Sequence, residues 1–89
     1  MEETLVRFDD RIEYHNKNGV LHRTDGPAYI KDDYEVWYYN GLVHRTDGPA
    51  FISKSVNIYY ILGKKYGKFI TEEYTNEVIR LKLEKLKNL

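Results

Sequence analysis

The chain has 89 residues, no cysteine, and 14 basic residues balanced by 14 acidic ones. This length is that of a single domain, the lack of cysteine excludes disulfides and thiolate metal sites, and the zero net charge argues against a nucleic-acid-binding protein. No apolar run approaches the about 20 residues of a membrane span, and the first residues lack the basic and apolar regions of a signal peptide. We therefore expect one domain over residues 1–89, located in the cytoplasm and without membrane contact.

A seven-residue stretch, His-Arg-Thr-Asp-Gly-Pro-Ala, occurs without change at residues 22–28 and at residues 44–50. The same spacing of 22 residues aligns further positions, and a third copy decays after Gly63. A decayed terminal copy is typical of repeat arrays, in which it caps the last unit. The predicted fold class is mainly β (α+β): an antiparallel β-meander of 22-residue hairpin repeats at residues 12–67, followed by one C-terminal α-helix.

Two Asn-Gly pairs, at residues 18–19 and 40–41, lie between apolar runs. Such pairs favour tight hairpins with a type I′ turn, because both central residues of that turn need a positive φ. Looser hairpins are expected at residues 32–33 and 54–55. Each Asp-Gly-Pro segment predicts a further turn at which a strand begins, since proline is excluded from the middle of a sheet.

Strand alternation, followed through the 22-residue spacing, sorts the side chains of the repeats into two faces. The expected core face is mostly apolar and consists of Ile12, Tyr14, Asn16, Tyr34, Val36, Tyr38, Val56, Ile58 and Tyr60. The expected surface face is aromatic and charged and consists of Glu13, His15, Lys17, Glu35, Trp37, Tyr39, Asn57, Tyr59 and Ile61. An error of one residue in register would exchange the two faces. The aromatic surface face is either packed under the C-terminal helix or a binding surface.

From Thr71 onward the apolar residues follow a helical period, and we predict a helix at residues 72–88. Thr71 is a suitable N-cap, acidic residues occupy the first turn, and lysines gather near the other end, as the helix dipole favours. The apolar residues spread over roughly 200° of the helix circumference, whereas a helix lying on a small sheet needs about 100°. We therefore predict a homo-oligomer whose contact is formed by Tyr74, Val78, Leu81 and Leu89.

Residues 36–50, Val-Trp-Tyr-Tyr-Asn-Gly-Leu-Val-His-Arg-Thr-Asp-Gly-Pro-Ala, resemble a repeat of the form W-Y-x-N-G-x-x-H-R-x-D-G-P-A. That repeat is found in uncharacterised proteins of tailed phages and large DNA viruses and is similar to MORN-variant hairpin repeats. The resemblance covers about residues 12–63. The first copy departs from it at residues 14–17, where Tyr-His-Asn-Lys replaces Trp-Tyr, and the third copy lacks the His-Arg-Asp-Gly-Pro part. The resemblance implies an antiparallel β-meander and a viral source, but no activity.

The repeated His, Arg and Asp residues are open to two interpretations. In the structural one, the aspartate caps the Gly-Pro turn and the arginine pairs with it or with the neighbouring repeat. The presence of two identical copies favours this role. In the functional one, the two turns lie side by side and present arginines, histidines and backbone amides to a phosphate or carboxylate group, while aromatic rings stack a base. The candidate ligand-binding residues are His22, Arg23, Asp25, Trp37, Tyr39, His44, Arg45, Asp47 and Tyr59.

Other chemistry is poorly indicated. The repeated His and Asp residues have the types of metal ligands, but their spacing resembles no metal motif, and we expect neither a metal nor a cofactor. No nucleophile motif and no Gly-rich phosphate loop accompanies the histidines, so we expect no catalytic residues. The basic residues near the end of the helix suit the helix dipole at least as well as a nucleic acid, which makes nucleic-acid binding unlikely.

The leading hypothesis is a small, non-enzymatic, phage-type binding protein in the cytoplasm of a host cell. It would counteract a host process such as antiviral defence by sequestering a small nucleotide-like ligand, an idea based on analogy. One alternative is a protein–protein interaction module that masks a host protein. A second alternative is a small phosphoester-cleaving enzyme.

Overall fold

Seven strands form one antiparallel sheet, and a separate two-stranded hairpin and one helix complete the fold. The structure, a computed structural model, describes residues 3–87. In chain order the elements are β1 (Thr4–Arg7), β2 (Arg11–His15), β3 (Tyr29–Lys31), β4 (Tyr34–Val36), β5 (Tyr38–Tyr39), β6 (Leu42–Val43), β7 (Phe51–Ser53), β8 (Asn57–Ile61), β9 (Lys64–Gly67) and α1 (Glu72–Lys87). The large sheet has the order β1-β2-β3-β4-β7-β8-β9, and β5 pairs with β6. The prediction of a mainly antiparallel β-meander with one C-terminal helix is therefore confirmed.

Two of the hairpins close with the tight turn that needs two positive φ angles. Asn40 and Gly41 have φ of 47° and 85°, as expected for the Asn-Gly turn between β5 and β6. Leu62 and Gly63 adopt the same conformation, with φ of 46° and 85°, between β8 and β9. The apolar side chain of leucine makes no local hydrogen bond that would stabilise a positive φ. The backbone at Leu62 is therefore strained.

The hairpin around Gly19 has a different turn from the one that its Asn-Gly pair predicts. Only Gly19 has a positive φ, of 80°, and the loop is one residue longer. The amide of Asn16 donates to the carbonyl of Val20 at 2.9 Å, and that of Gly19 donates to the carbonyl of Asn16 at 2.9 Å. These bonds close a three-residue loop, in which glycine takes the left-handed position. The predicted type I′ turn at residues 18–19 is therefore wrong.

The longer loop shifts the first copy by one residue relative to the others. Ile12 lies opposite Ile30, which lies opposite Glu35, so Ile12 shares a face with Glu35. The prediction that Ile12 lies on the face of Tyr34 is wrong for this reason.

The helix covers one end of the sheet and forms the small core there. The most buried apolar cluster consists of Ile61, Tyr74 and Val78, which are 2%, 4% and 8% exposed. The hydroxyl of Thr71 accepts a hydrogen bond from the amide of Tyr74 at 3.1 Å, which confirms the predicted N-cap. Because Ile61 belongs to the face predicted as surface, the helix packs on that face and not on the expected core face.

The opposite face of the sheet has no covering element among residues 3–87. It forms a groove of about 270 Å³, which we call the tyrosine face, lined by Leu21, Tyr29, Tyr34, Val36, Tyr38, Val43, Phe51 and Tyr60. Tyr34 stacks on both neighbours, with ring centroids 5.8 Å from Tyr29 and 5.6 Å from Phe51. The side chains of the tyrosine face are half-buried, apart from Val36, which is buried. No helix in the described part of the chain is long and apolar enough to cross a membrane.

Candidate functional site

The stretch at residues 22–28, which we call the first turn, is held closed by its arginine. Arg23 donates from Nε to the carboxylate of Asp25 at 3.1 Å and from Nη1 to the carbonyl of Pro27 at 3.1 Å. The Arg23 guanidinium carbon also lies 4.0 Å from the centroid of the Tyr14 ring. The arginine therefore has a structural role in its own turn.

The stretch at residues 44–50, the second turn, repeats these contacts. Arg45 donates to Asp47 at 2.8 Å and to the carbonyl of Pro49 at 3.1 Å, and its guanidinium carbon lies 3.8 Å from the centroid of the Trp37 ring. The indole nitrogen of Trp37 is buried and has no hydrogen-bond partner within residues 3–87. Trp37 thus takes the place that Tyr14 has in the first turn.

The arginine of each turn lies directly against the glycine of that turn. A Cβ atom on Gly26 would lie 2.7 Å from the guanidinium carbon of Arg23, and one on Gly48 would lie 2.8 Å from that of Arg45. Both distances are shorter than a carbon–carbon contact. The Asp-Gly-Pro sequence is therefore matched to the folded position of the arginine.

Each histidine links its turn to the next hairpin along the chain. Nδ1 of His22 accepts from the amide of Asn40 at 2.9 Å, and Nδ1 of His44 accepts from the amide of Leu62 at 2.9 Å. A ring nitrogen that accepts an N–H bond carries no proton, so in each neutral ring the proton lies on Nε2. Burial lowers the pKa of His44, which favours the neutral ring.

A cavity of about 480 Å³ lies between the two turns and the C-terminal half of the helix. This volume is within the range of small-molecule sites. Seven of the predicted ligand-binding residues line it: Arg23, Asp25, Trp37, Tyr39, His44, Arg45 and Asp47. Four further residues, which the sequence did not single out, complete the wall: Thr24, Thr46, Lys82 and Lys85.

The other two predicted residues lie elsewhere. His22 is 8% exposed and faces a separate depression that Glu3 and Asn40 also line. Tyr59 lies against the helix, with its ring centroid 5.0 Å from that of Tyr74. Tyr59 is therefore part of the contact between sheet and helix and does not line the cavity.

The charges around the cavity favour an anion. Its wall has four cationic side chains and two carboxylates, and each carboxylate is already paired with the arginine of its own turn. Neither Lys82 nor Lys85 forms an ion pair with any residue from 3 to 87. In the same part of the chain, no group of three or more His, Asp or Glu side chains is arranged to hold a metal ion.

The residues predicted to form the oligomer contact have contacts within the chain. Tyr74 and Val78 are buried against β8, and Leu81 packs on the same cluster. The hydroxyl of Tyr74 donates to the carbonyls of Arg45 and Gly48, and burial raises its pKa. Leu89, the fourth residue of the predicted contact, and Asn88, the predicted end of the helix, lie outside the described residues. The apolar helix residues exposed to solvent are Ile79, Leu83 and Leu86.

The chain matches no protein-family model, and no curated protein or solved structure is significantly similar to it. The resemblance to the W-Y-x-N-G repeat proteins therefore depends on the motif residues alone and stays a prediction.

Proposed function

We propose that the protein is a non-enzymatic binding protein that holds a small anionic ligand with a flat aromatic part, such as a nucleotide, between its two turns. The observation that carries this proposal is the cavity in which Lys82 and Lys85 of the helix meet the Trp37–Arg45 stack. Ammonium groups attract phosphate, and an aromatic ring stacks on a base with little dependence on which base it is.

The hydrogen bonding of the histidines supports binding over catalysis. A catalytic histidine usually donates from Nδ1 to a carboxylate or carbonyl, which leaves Nε2 free to accept a proton. In this protein Nδ1 of His44 accepts from a backbone amide, so the neutral ring has its proton on Nε2 and has no free base. The cavity-lining hydroxyls of Thr24 and Thr46 consequently have no neighbouring histidine base in this tautomer.

Ligand-dependent melting tests the proposal. A panel of cyclic and ADP-ribose-type nucleotides should include one that raises the melting temperature, since a ligand at about 100 times its Kd stabilises a protein by about 2.7 kcal/mol. For a domain of this size, each kcal/mol corresponds to about 4–8 °C.

The double variant Lys82→Ala/Lys85→Ala should lose most of this shift. Lys87→Ala is the matched control, because Lys87 is on the same helix end but does not line the cavity, and it should keep the shift. An unmoved melting temperature across the panel would reject the proposal.

The viral context extends this proposal through the resemblance alone. A phage or large-virus protein with such a cavity would act in the host cytoplasm and counteract a host defence by sequestering a nucleotide signal. Deletion from such a virus should then reduce its growth only in hosts that produce the signal.

We also propose that the 22-residue spacing is the unit of the fold beyond the first hairpin. The amide of Gly41 donates to the carbonyl of Leu21 at 2.8 Å, and the amide of Gly63 donates to the carbonyl of Val43 at 2.8 Å. Equal bonds at this spacing stack each hairpin on the preceding one, which supports a repeat array.

A second copy of the chain is the partner that we propose for the tyrosine face. The chain exposes 6273 Å², whereas a monomeric protein of this mass exposes about 5,500 Å². The excess, roughly 800 Å², equals the area that one partner contributes to an interface of standard size, and the exposed helix residues Ile79, Leu83 and Leu86 contribute to it as well. The groove lining has no charged side chain, although Glu13 and Lys31 lie on the same face opposite Tyr29 and Tyr34. Domains are normally built from at least two packed layers. A host protein on the same face is the competing outcome of the test given below.

A further inference from the structure

The first turn already holds a carboxylate, which comes from the N-terminal part of the chain. Oε2 of Glu3 accepts from the backbone amide of Thr24 at 3.0 Å and from its hydroxyl at 2.9 Å. Nε2 of His22 lies 3.7 Å from the same oxygen. One carboxylate oxygen therefore accepts two hydrogen bonds from Thr24 and lies close to the Nε2–H group of His22.

The second turn has the same three groups but no such acid. Its residues His44 and Thr46 correspond to His22 and Thr24 in the identical sequence. No residue from 3 to 87 forms a hydrogen bond with the amide or the hydroxyl of Thr46. The donors of the second turn are thus open where those of the first are occupied.

The two turns are held in the same way, so their donors point in equivalent directions. The amide of Arg23 donates to the carbonyl of Tyr38 at 3.1 Å, and that of Arg45 donates to the carbonyl of Tyr60 at 3.1 Å. In both turns the histidine accepts from the following hairpin at the same distance, 2.9 Å. The geometry of Thr24 is therefore a guide to that of Thr46.

The equivalent of the Glu3 position at the second turn lies in the cavity. Glu3 comes from the chain segment that precedes the first turn in the fold. One unit further along the sheet, the same side of the second turn faces the first turn. The cavity is lined there by Thr46 and His44 together with Thr24.

We propose that the amide and hydroxyl of Thr46, with Nε2–H of His44, form an oxyanion subsite that takes a carboxylate or phosphate group of the ligand. Glu3 is the chain's own occupant of the corresponding subsite at the first turn. This inference rests on the proposed function for the rest of the ligand, and it adds which donors meet the charged group. Lys82 and Lys85 then supply the long-range attraction.

Backbone amide NMR with acetate and inorganic phosphate as probes tests the subsite. The Thr46 amide should shift and saturate as the anion is added, whereas the Thr24 amide should stay unmoved because Glu3 occupies it. Saturation by acetate alone would assign a carboxylate, and saturation by phosphate alone would assign a phosphate group. Thr46→Val should weaken binding of the anion about tenfold through the loss of one hydrogen bond to a charged group. Thr4→Val is the matched control, because Thr4 is exposed on β1 and does not line the cavity, and it should leave the affinity unchanged.

The variant Glu3→Ala gives a second, opposite result. Removal of this carboxylate opens the donors of Thr24, so that its amide should now respond to the same anion and the stoichiometry should rise from one to two. If Glu3→Ala fails to fold, the comparison of Thr24 with Thr46 in the natural chain decides. The inference would be overturned if neither anion shifts the amide signal of Thr46. It would also be overturned if the amide signals of Thr24 and Thr46 shift equally in the natural chain.

The subsite and the proposed function can fail separately. A nucleotide that raises the melting temperature while the Thr46 amide stays unmoved would overturn the subsite and leave the binding function intact. A Thr46 amide that responds to phosphate while no nucleotide raises the melting temperature would support the subsite and reject the nucleotide.

Discussion

The hydroxyl of Tyr74 donates a hydrogen bond to the backbone carbonyl of Arg45 at 2.9 Å. This bond joins the helix to the second turn, and a further bond to the carbonyl of Gly48 at 3.2 Å strengthens the connection. The position of the helix in turn places Lys82 and Lys85 at the cavity. The site is therefore assembled by a tertiary contact between two parts of the chain that have no sequence relationship.

Removal of this hydroxyl should loosen the site. We expect Tyr74→Phe to lower the free energy of unfolding by about 1–3 kcal/mol, since it leaves two partly buried carbonyls without their donor. Urea unfolding followed by circular dichroism measures this loss. Tyr66→Phe is the matched control. The Tyr66 ring also packs against Tyr74, with ring centroids 5.8 Å apart, but its hydroxyl has no hydrogen-bond partner among residues 3–87. Equal losses in the two variants would contradict the role of the Tyr74 hydroxyl.

Relief of the backbone strain at Leu62 should stabilise the protein. Leu62 is 43% exposed and has a φ of 46°. This left-handed conformation costs most residues about 1–2 kcal/mol, and asparagine adopts it more readily than leucine. Leu62→Asn, which copies the residue at position 40, should raise the melting temperature by several degrees. Leu62→Ala removes the same side chain without relief of strain, and a gain of equal size in that variant would show that φ is not the cause.

Stability should fall as the pH is lowered through the range in which unfolded histidine gains a proton. The folded pKa of His44 is depressed by burial, whereas the unfolded chain takes up the proton near about 6.5. The unfolded state therefore binds more protons between that value and the lower folded pKa, and stability present at pH 7 and above is lost across this window. Urea unfolding at a series of pH values measures the slope.

The matched variant for the pH effect is His44→Asn. Its side-chain oxygen can still accept from the amide of Leu62, but it does not titrate. We expect a smaller pH slope in this variant than in the natural chain. An unchanged slope would show that His44 does not contribute.

Self-association through the tyrosine face predicts a dimer in solution. Light scattering at about 100 µM, far above the Kd of most interfaces of standard size, should give twice the chain mass of 10.6 kDa. Tyr34→Glu should produce a monomer, because it places a charge in the centre of the face. Leu83→Glu is the control on the exposed helix surface and should leave the dimer intact. A monomeric natural chain, or a dimer lost only in Leu83→Glu, would reject this interface and favour a different partner or the helix.

The sequence predicted the parts of the fold that depend on local signals. The Asn40-Gly41 turn, the cap at Thr71 and the meander follow from turn chemistry, capping and alternation. The extra residue in the loop before Val20 was not predictable from the identical seven-residue stretches, because those stretches align perfectly on one side of it. The one-residue shift of the faces around Ile12 follows from that loop.

The candidate site was predictable only in part. The two turns could be placed side by side from their spacing, which brings Arg45 and Trp37 together with the first turn. Lys82 and Lys85 could not be assigned, because their position depends on how Tyr74 docks on the second turn. The role of Glu3 was equally hidden, since a single acidic residue near the start of a chain has no pattern that points to the turn it binds.

Fluorescence of Trp37 is the most direct test of the central claim that the cavity binds a nucleotide-like ligand. The chain has a single tryptophan, so its emission reports on this cavity alone. We predict that the nucleotide that raises the melting temperature quenches this emission with a saturable curve, and that Lys82→Ala/Lys85→Ala shifts the curve at least tenfold to higher concentration, a change of about 1.4 kcal/mol. Emission that stays constant while the nucleotide raises the melting temperature, or a curve that the double variant leaves unchanged, would contradict the claim.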